Sequence, residues 1–187
     1  RNGENNMAHA EQVEFCSFVS EKYPEHFINK DVLDVGSYDV NGNNRYLFTN
    51  CLYLGVDVAA GKNVDIVQVF HTFNPKKQFD TIISTEMLEH DKYWELSLRH
   101  MVELLKPKGF LLFSCAYPGR AEHGTLNVNE PNQGNGQQQF DEEWKNYYKN
   151  IGIEDIRKAI DCDKEFSTYN FFVNNNCFDL YFYGVKR

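Results

Sequence analysis

The segment Val32-Leu33-Asp34-Val35-Gly36-Ser37, followed by Tyr53-Leu54-Gly55-Val56-Asp57, constrains the fold of this chain more than any other feature. An apolar strand runs into a tight glycine turn. A second apolar strand ends in an acid about twenty residues later, the spacing of a nucleotide-binding βαβ unit. A residue without a side chain lets the backbone approach a ligand, and a carboxylate at the strand end can accept both hydroxyls of a ribose. Alone, Asp34-Val35-Gly36 reads equally well as a plain strand and turn. With Asp57 at this distance the nucleotide reading is the stronger one.

The rest of the chain supports an alternating pattern. Ala8 to Tyr23 places Val13, Phe15, Cys16, Phe18 and Val19 at helical spacing, and Pro24 ends it. Strands are expected at Asp31 to Gly36, Leu52 to Asp57, Val64 to Val69, Phe79 to Ser84 and Phe110 to Cys115, with a short helix at Asn43 to Phe48. Tyr93 to Leu105 carries Leu96, Met101, Leu104 and Leu105 on one helical face, closed by Lys106-Pro107-Lys108-Gly109. Between the third and fourth strands there is no room for an ordinary crossover helix. Residues from Tyr117 to Gln139 are rich in Gly, Asn and Gln and read as a mobile lid or disorder. Phe140 to Ile160 reads as a helix broken near Gly152, and Phe166 to Val173 with Phe178 to Val185 as a terminal hairpin.

These elements predict one α/β domain over residues 1–187, with residues 1–7 an added or disordered lead. A formal net charge of −8 argues against an extended phosphate-binding surface, though not against one nucleotide in a pocket. The five cysteines form no C-x-x-C pair, so neither zinc nor a disulfide framework is expected. With no apolar run near the roughly 20 residues of a membrane span and no legible signal peptide, the chain is expected in the cytoplasm. Oligomeric state is not legible.

The order of these motifs resembles the class I S-adenosylmethionine-dependent methyltransferases of the type-11 kind. Its carriers are Val32 to Ser37, Tyr53 to Asp57, Phe79-Asp80-Thr81-Ile82-Ile83-Ser84-Thr85-Glu86-Met87-Leu88-Glu89-His90, and Leu105 to Phe110. The resemblance implies a Rossmann-like, mostly parallel seven-stranded sheet with helices on both faces and an antiparallel C-terminal hairpin. It also implies S-adenosylmethionine as cofactor. Asp34, Gly36 and Ser37 would shape the floor under its methionine part, Asp57 and Val58 would hold the ribose, Phe70 and His71 would contact the adenine, and Ser84 and Thr85 would lie near the sulfonium. Simple core packing explains Phe70 equally well. The family's second glycine is replaced by Tyr38, whose side chain either caps the pocket or narrows it.

Glu86, Glu89 and His90 form E-x-x-E-H at the end of the fourth strand, where open α/β sheets place their ligands. Two carboxylates and an imidazole can bind a divalent cation. Without one, His90 can remove an acceptor's proton directly. The triplet resembles a cation-binding motif of some O-methyltransferases acting on small RNAs and ubiquinone precursors, whereas many type-11 members carry a similar Leu-Glu-His with no such role. A metal is therefore not favoured; Glu89 and His90 read as catalytic or structural. His123, with Arg120, lies on the same rim after the fifth strand, where both could recognise an acidic or hydroxylated acceptor, and His123 joins Glu89 and His90 as a catalytic candidate. Asn41 and Arg45 also lie near the glycine turn, with helix capping preferred for Asn41.

The reaction expected is methyl transfer, with oxygen favoured, to a small-molecule or nucleotide-like acceptor. One rival is a catalytically silent binding module. The other is a dinucleotide-binding oxidoreductase, disfavoured because Gly36-Ser37-Tyr38-Asp39-Val40 lacks G-x-G-x-x-G. No Asn-Pro-Pro-Tyr-like motif follows the fourth strand, which disfavours methylation of DNA-base amino groups.

Overall fold

A computed structural model describes residues 2–40, 42–128 and 136–187, with side chains from Ala10 onward except Gln139. Seven strands form one sheet: β1 (Asp31–Val35), β2 (Leu52–Asp57), β3 (Ile66–Val67), β4 (Phe79–Thr85), β5 (Leu105–Ala116), β6 (Phe166–Asn174) and β7 (Asp179–Lys186), in the order β3-β2-β1-β4-β5-β7-β6. The pairings among β1 to β5 are parallel, and β7 runs antiparallel to both β5 and β6. This is the Rossmann-like architecture expected from the sequence, closed by the hairpin.

Strand periodicity sorts the core onto two faces. Leu33, Val35, Ile82, Leu111 and Phe113 point to one side, where they meet Leu98 and Met101 of α2 (Trp94–Leu104) and Ile156 of α4 (Ile153–Ala159). Val32, Ile83, Phe110 and Leu112 point to the other, where they meet Cys16 and Val19 of α1 (Asn2–Lys22). Both faces of the central strands are therefore apolar, as parallel strands require. The first helix begins at Asn2, so it takes in most of the stretch read as a lead.

Local differences have local causes. The segment after β1 forms only a 3-10 turn, Arg45–Leu47, and the chain between β3 and β4 only Phe70–Thr72. The fifth strand starts at Leu105 rather than Phe110, because Leu105 already pairs with Phe79; the register then shifts before Phe110 meets Thr81. Lys106 to Gly109 absorb that shift, with Lys108 at φ +63° and Pro107 where no donor is required. The stretch read as one long helix splits into α3 (Glu142–Lys145), capped by the Asp141 carboxylate on the Glu143 and Trp144 amides, and α4, entered at Gly152. The short α5 (Cys162–Glu165) leads into β6.

Asp34 is an apolar-face exception: it sits in the middle of the sheet, 2% exposed. Its Oδ2 accepts a 2.6 Å bond from the Tyr53 hydroxyl, and its Oδ1 has no partner. Burial pushes the carboxyl up to about 7, against the lowering effect of Tyr53. The folded chain therefore holds this proton more tightly than the unfolded chain does. Its stabilising contribution is complete below the ordinary carboxylate range and is lost as pH rises through about 7. Asp34→Asn should consequently gain stability over the parent by on the order of 2–3 kcal/mol between pH 5 and pH 8, read as the difference in urea midpoints. Identical pH profiles for the two proteins would show that this carboxyl is ionised throughout.

Candidate active site

The C-terminal ends of β1, β2, β4 and β5 share one rim, and the predicted site residues gather on it. Gly36 turns the chain after β1 at φ +79°, and a Cβ there would lie 2.5 Å from Met87 Cγ. The position needs glycine on both counts. Ser37 follows, 3% exposed, with its hydroxyl unpartnered. Tyr38 donates its backbone N–H to Asp57 Oδ2 at 3.1 Å, while its ring lies against Gly61. The ring thus walls the rim from the side rather than blocking the glycine turn.

Asp57 accepts a second backbone bond, from Ala59 to Oδ1 at 3.2 Å. These amides favour the charged form, yet burial outweighs them and raises its pKa. Part of that burial comes from a 3-10 turn, Gly136–Gln139, at the end of the polar connection. A Cβ on Gly136 would lie 2.5 Å from Asp57 Oδ1 and 3.4 Å from Val58 Cγ2, so this backbone rests on the carboxylate. Gln137 next to it is 4% exposed and donates to the carbonyls of Trp144 and Tyr147 at 2.8 and 2.9 Å. The polar connection, where described, is therefore a folded cover over the β2 end. No sequence signal pointed to Gly136 or Gln137.

After β4 the backbone bends sharply. Glu86 adopts φ +54°, donates its N–H to Ser114 O at 3.1 Å and accepts the Ser114 hydroxyl at 2.7 Å. Left-handed backbone at a non-glycine residue is strained and clusters at functional sites. The following turn, Leu88–His90, is 3-10 and only three residues long. The three residues of E-x-x-E-H therefore part: Glu86 turns to Ser114, while Glu89 and His90 turn inward.

Glu89 is fully buried, and neither carboxylate oxygen has a hydrogen-bond partner. Burial and the neighbouring Glu86 carboxylate raise its pKa. His90 Nδ1 is likewise buried and unpartnered. Burial, reinforced by His123, lowers the His90 pKa to about 3, so the ring is neutral. His123 comes in from the loop after β5, its ring centroid 5.0 Å from that of His90, and Tyr148 packs on both rings at 5.5 and 5.1 Å. One ligating atom from each of Glu89, His90 and His123 lies within 4.8 Å of the others. Sequence reading singled out all three but did not find Tyr148, which sits in a stretch misread as helix.

The remaining residues singled out in the sequence lie as follows. Phe70 is 5% exposed and packs on Phe73 and the His100 ring, so its side chain belongs to the core. His71 stays near the rim against Tyr93, ring centroids 4.7 Å apart. Ser84 is fully buried with its hydroxyl on Val35 O at 2.8 Å, while Thr85 Oγ1 accepts from Asn44 at 3.0 Å. Arg120 is spent on structure, bonded to Asp179 at 2.8 Å and Cys177 O at 2.7 Å. Arg45 stacks on Tyr53 and pairs with Asp65, turned away from the rim cluster. Asn41 lies outside the described residues. A shallow hollow of about 570 Å³ opens between α4 and β6, lined by Tyr117, Arg157, Tyr169 and Phe171 among others, and none of the predicted site residues lines it.

A family of methyltransferase domains matches residues 7–170, and the chain belongs to that family. It carries the Rossmann-like class I methyltransferase fold. No curated protein matches the chain. Among solved structures it is similar to the 1,6-didemethyltoxoflavin-N1-methyltransferase of Burkholderia thailandensis, bound to its substrate and S-adenosylhomocysteine (13% identity, 91% of this chain and 76% of that one, TM-score 0.61). It is also similar to the N-methyltransferase NodS of Bradyrhizobium japonicum with S-adenosylhomocysteine (14% identity, 98% and 88%, TM-score 0.58). A third is the CurJ carbon methyltransferase (16% identity, 91% and 54%, TM-score 0.58). At these identities the likeness describes the fold.

Proposed function

We propose that the chain methylates a hydroxyl of a small or nucleotide-like molecule, with the cofactor ribose held by Asp57 and the acceptor received beside Glu89, His90 and His123. The observation that carries the reading is the pair of orphaned buried groups, the Glu89 carboxylate and His90 Nδ1, at the end of β4. Unsatisfied buried polar atoms are costly unless a ligand completes them. A hydroxyl donor entering there would satisfy either one.

When bound, S-adenosylmethionine supplies a methyl group already activated on sulfonium. Its transfer to an acceptor hydroxyl would give a methyl ether, S-adenosylhomocysteine and a released proton. The protein's own work is then placement, exclusion of water and removal of the hydroxyl proton. Gly36, Ser37 and Tyr38 would shape the near wall; Val58, His71 and Thr85 would line the rest of the cofactor cleft. The neutral His90 ring can accept a hydrogen bond from the acceptor hydroxyl, with Tyr148 packed against it.

The relatives include methyltransferases to nitrogen and to carbon. Transfer of labelled methyl from S-adenosylmethionine to panels of alcohols, phenols, ribonucleosides and amines separates the alternatives. Label recovered as an ether supports the reading, and label found only on nitrogen overturns it. No helix among the described residues is long and apolar enough to cross a membrane. The five free cysteines suit a reducing compartment, in keeping with a cytoplasmic location.

A further inference from the structure

The polar groups at the end of β4 carry more than a proton-acceptor role. We infer that Glu89, His90 and His123 form a site for one divalent transition-metal ion. The inference shares the acceptor pocket with the proposed function but does not depend on which atom is methylated.

The donor set differs from the one the E-x-x-E-H spacing offers. Glu86, the first acid of the triplet, is engaged by Ser114 through both its backbone and its carboxylate. His123 takes its place, delivered by a loop 33 residues further along the chain than His90. The three ligating atoms lie within 4.8 Å of one another. In a filled shell with bonds of about 2.1 Å, ligand atoms stand no more than about 4.2 Å apart, so closing on an ion requires only a small contraction.

Two independent facts point to an ion rather than a chance meeting of side chains. Glu89 is fully buried with both oxygens lacking any donor, and His90 Nδ1 is buried and lacks one too. An orphaned carboxylate beside a neutral imidazole is an unfavourable arrangement that a cation converts into a favourable one. In addition, the Ala121 carbonyl lies 3.1 Å from His123 Nδ1. A backbone carbonyl in that position is the usual means of fixing the ring and tautomer of a ligating histidine.

Two imidazoles and one carboxylate select against magnesium and calcium, which prefer oxygen ligands throughout, and favour manganese, iron, cobalt or zinc in the divalent state. Three protein ligands leave open positions. An acceptor hydroxyl entering one of them would lose its proton more readily, with no change in the oxidation state of the ion. The three side chains would then act as ligands, and the proton would leave to solvent.

Cobalt(II) and manganese(II) serve as probes. The parent protein, stripped with chelator, should bind one ion per chain by calorimetry, and the cobalt form should show visible d–d absorption with nitrogen ligation. Glu89→Gln and His123→Ala should each weaken binding at least tenfold. Absence of uptake, or uptake equal in the parent and both variants, overturns the site. S-adenosylhomocysteine binding on the same samples keeps the two readings apart. Protein that takes the nucleoside but no ion loses only the metal site, while protein that takes the ion but no nucleoside loses the Asp57 assignment and keeps this one.

Discussion

Asp57→Ala is expected to weaken S-adenosylhomocysteine binding by about a hundredfold, near 3 kcal/mol, while leaving the fold intact. Asp57 stands at the end of β2 with its carboxylate oriented by the Tyr38 and Ala59 amides. A carboxylate that accepts two hydroxyl hydrogens makes charge-assisted bonds worth roughly 1.5–3 kcal/mol each. The substitution removes both and leaves two amides facing the cleft. It also removes the surface on which Gly136 rests, so the covering turn loosens and part of the loss can be offset by easier entry. Titration calorimetry measures the affinity and circular dichroism the fold. Unaltered affinity in a folded Asp57→Ala protein would place the ribose elsewhere.

The second large effect belongs to the histidines. His90→Asn and His123→Ala should each lower turnover about a hundredfold, within the range for loss of a positioned proton-transfer group, with S-adenosylhomocysteine affinity changed less than about twofold. The separation is expected because the histidines lie after β4 and β5, whereas the cofactor contacts expected from the sequence concentrate after β1 and β2. His123 is the safer probe of chemistry, since it is half-buried on a loop, whereas His90 packs against both His123 and Tyr148. Steady-state rates with saturating cofactor measure the effect. A drop in cofactor affinity as large as the drop in rate would show the pair to be part of the cofactor cleft.

What could be read from residues alone, and what could not, follows from the range of the interactions involved. β1, β2, β4 and the hairpin are written in short apolar runs bounded by turn residues, which is local information. Gly36 and Asp57 could be paired because the βαβ unit fixes their separation. Glu89 and His90 stood out because they follow a central strand directly. The tie of Arg120 to Asp179 was not legible, because that partner is 59 residues away and nothing nearby announces the ion pair. The Tyr53 bond that satisfies half of Asp34, the seat of Gly136 on Asp57 and the approach of His123 to Glu89 are likewise contacts between distant segments. The segment from Phe140 to Ile160 misled for a different reason. Its composition suits a helix, but Asp141 and Gly152 each start a separate short one, with the connecting residues tied back by Lys149 N–H to Glu89 O and Ile151 N–H to Ala116 O.

The turn over β2 bears on the Asp57 proposal. For ribose hydroxyls to reach Asp57, the turn at Gly136–Gln139 must lift, which withdraws Gln137 from its place in the buried interior.

A crystal structure of the chain with S-adenosylhomocysteine tests the central claim most directly. The account predicts both ribose hydroxyls within about 3 Å of the Asp57 carboxylate, the Gly136 turn raised from it, and the sulfur facing the pocket of Glu89, His90 and His123. A nucleoside seated elsewhere, with Asp57 still covered by Gly136, would contradict it.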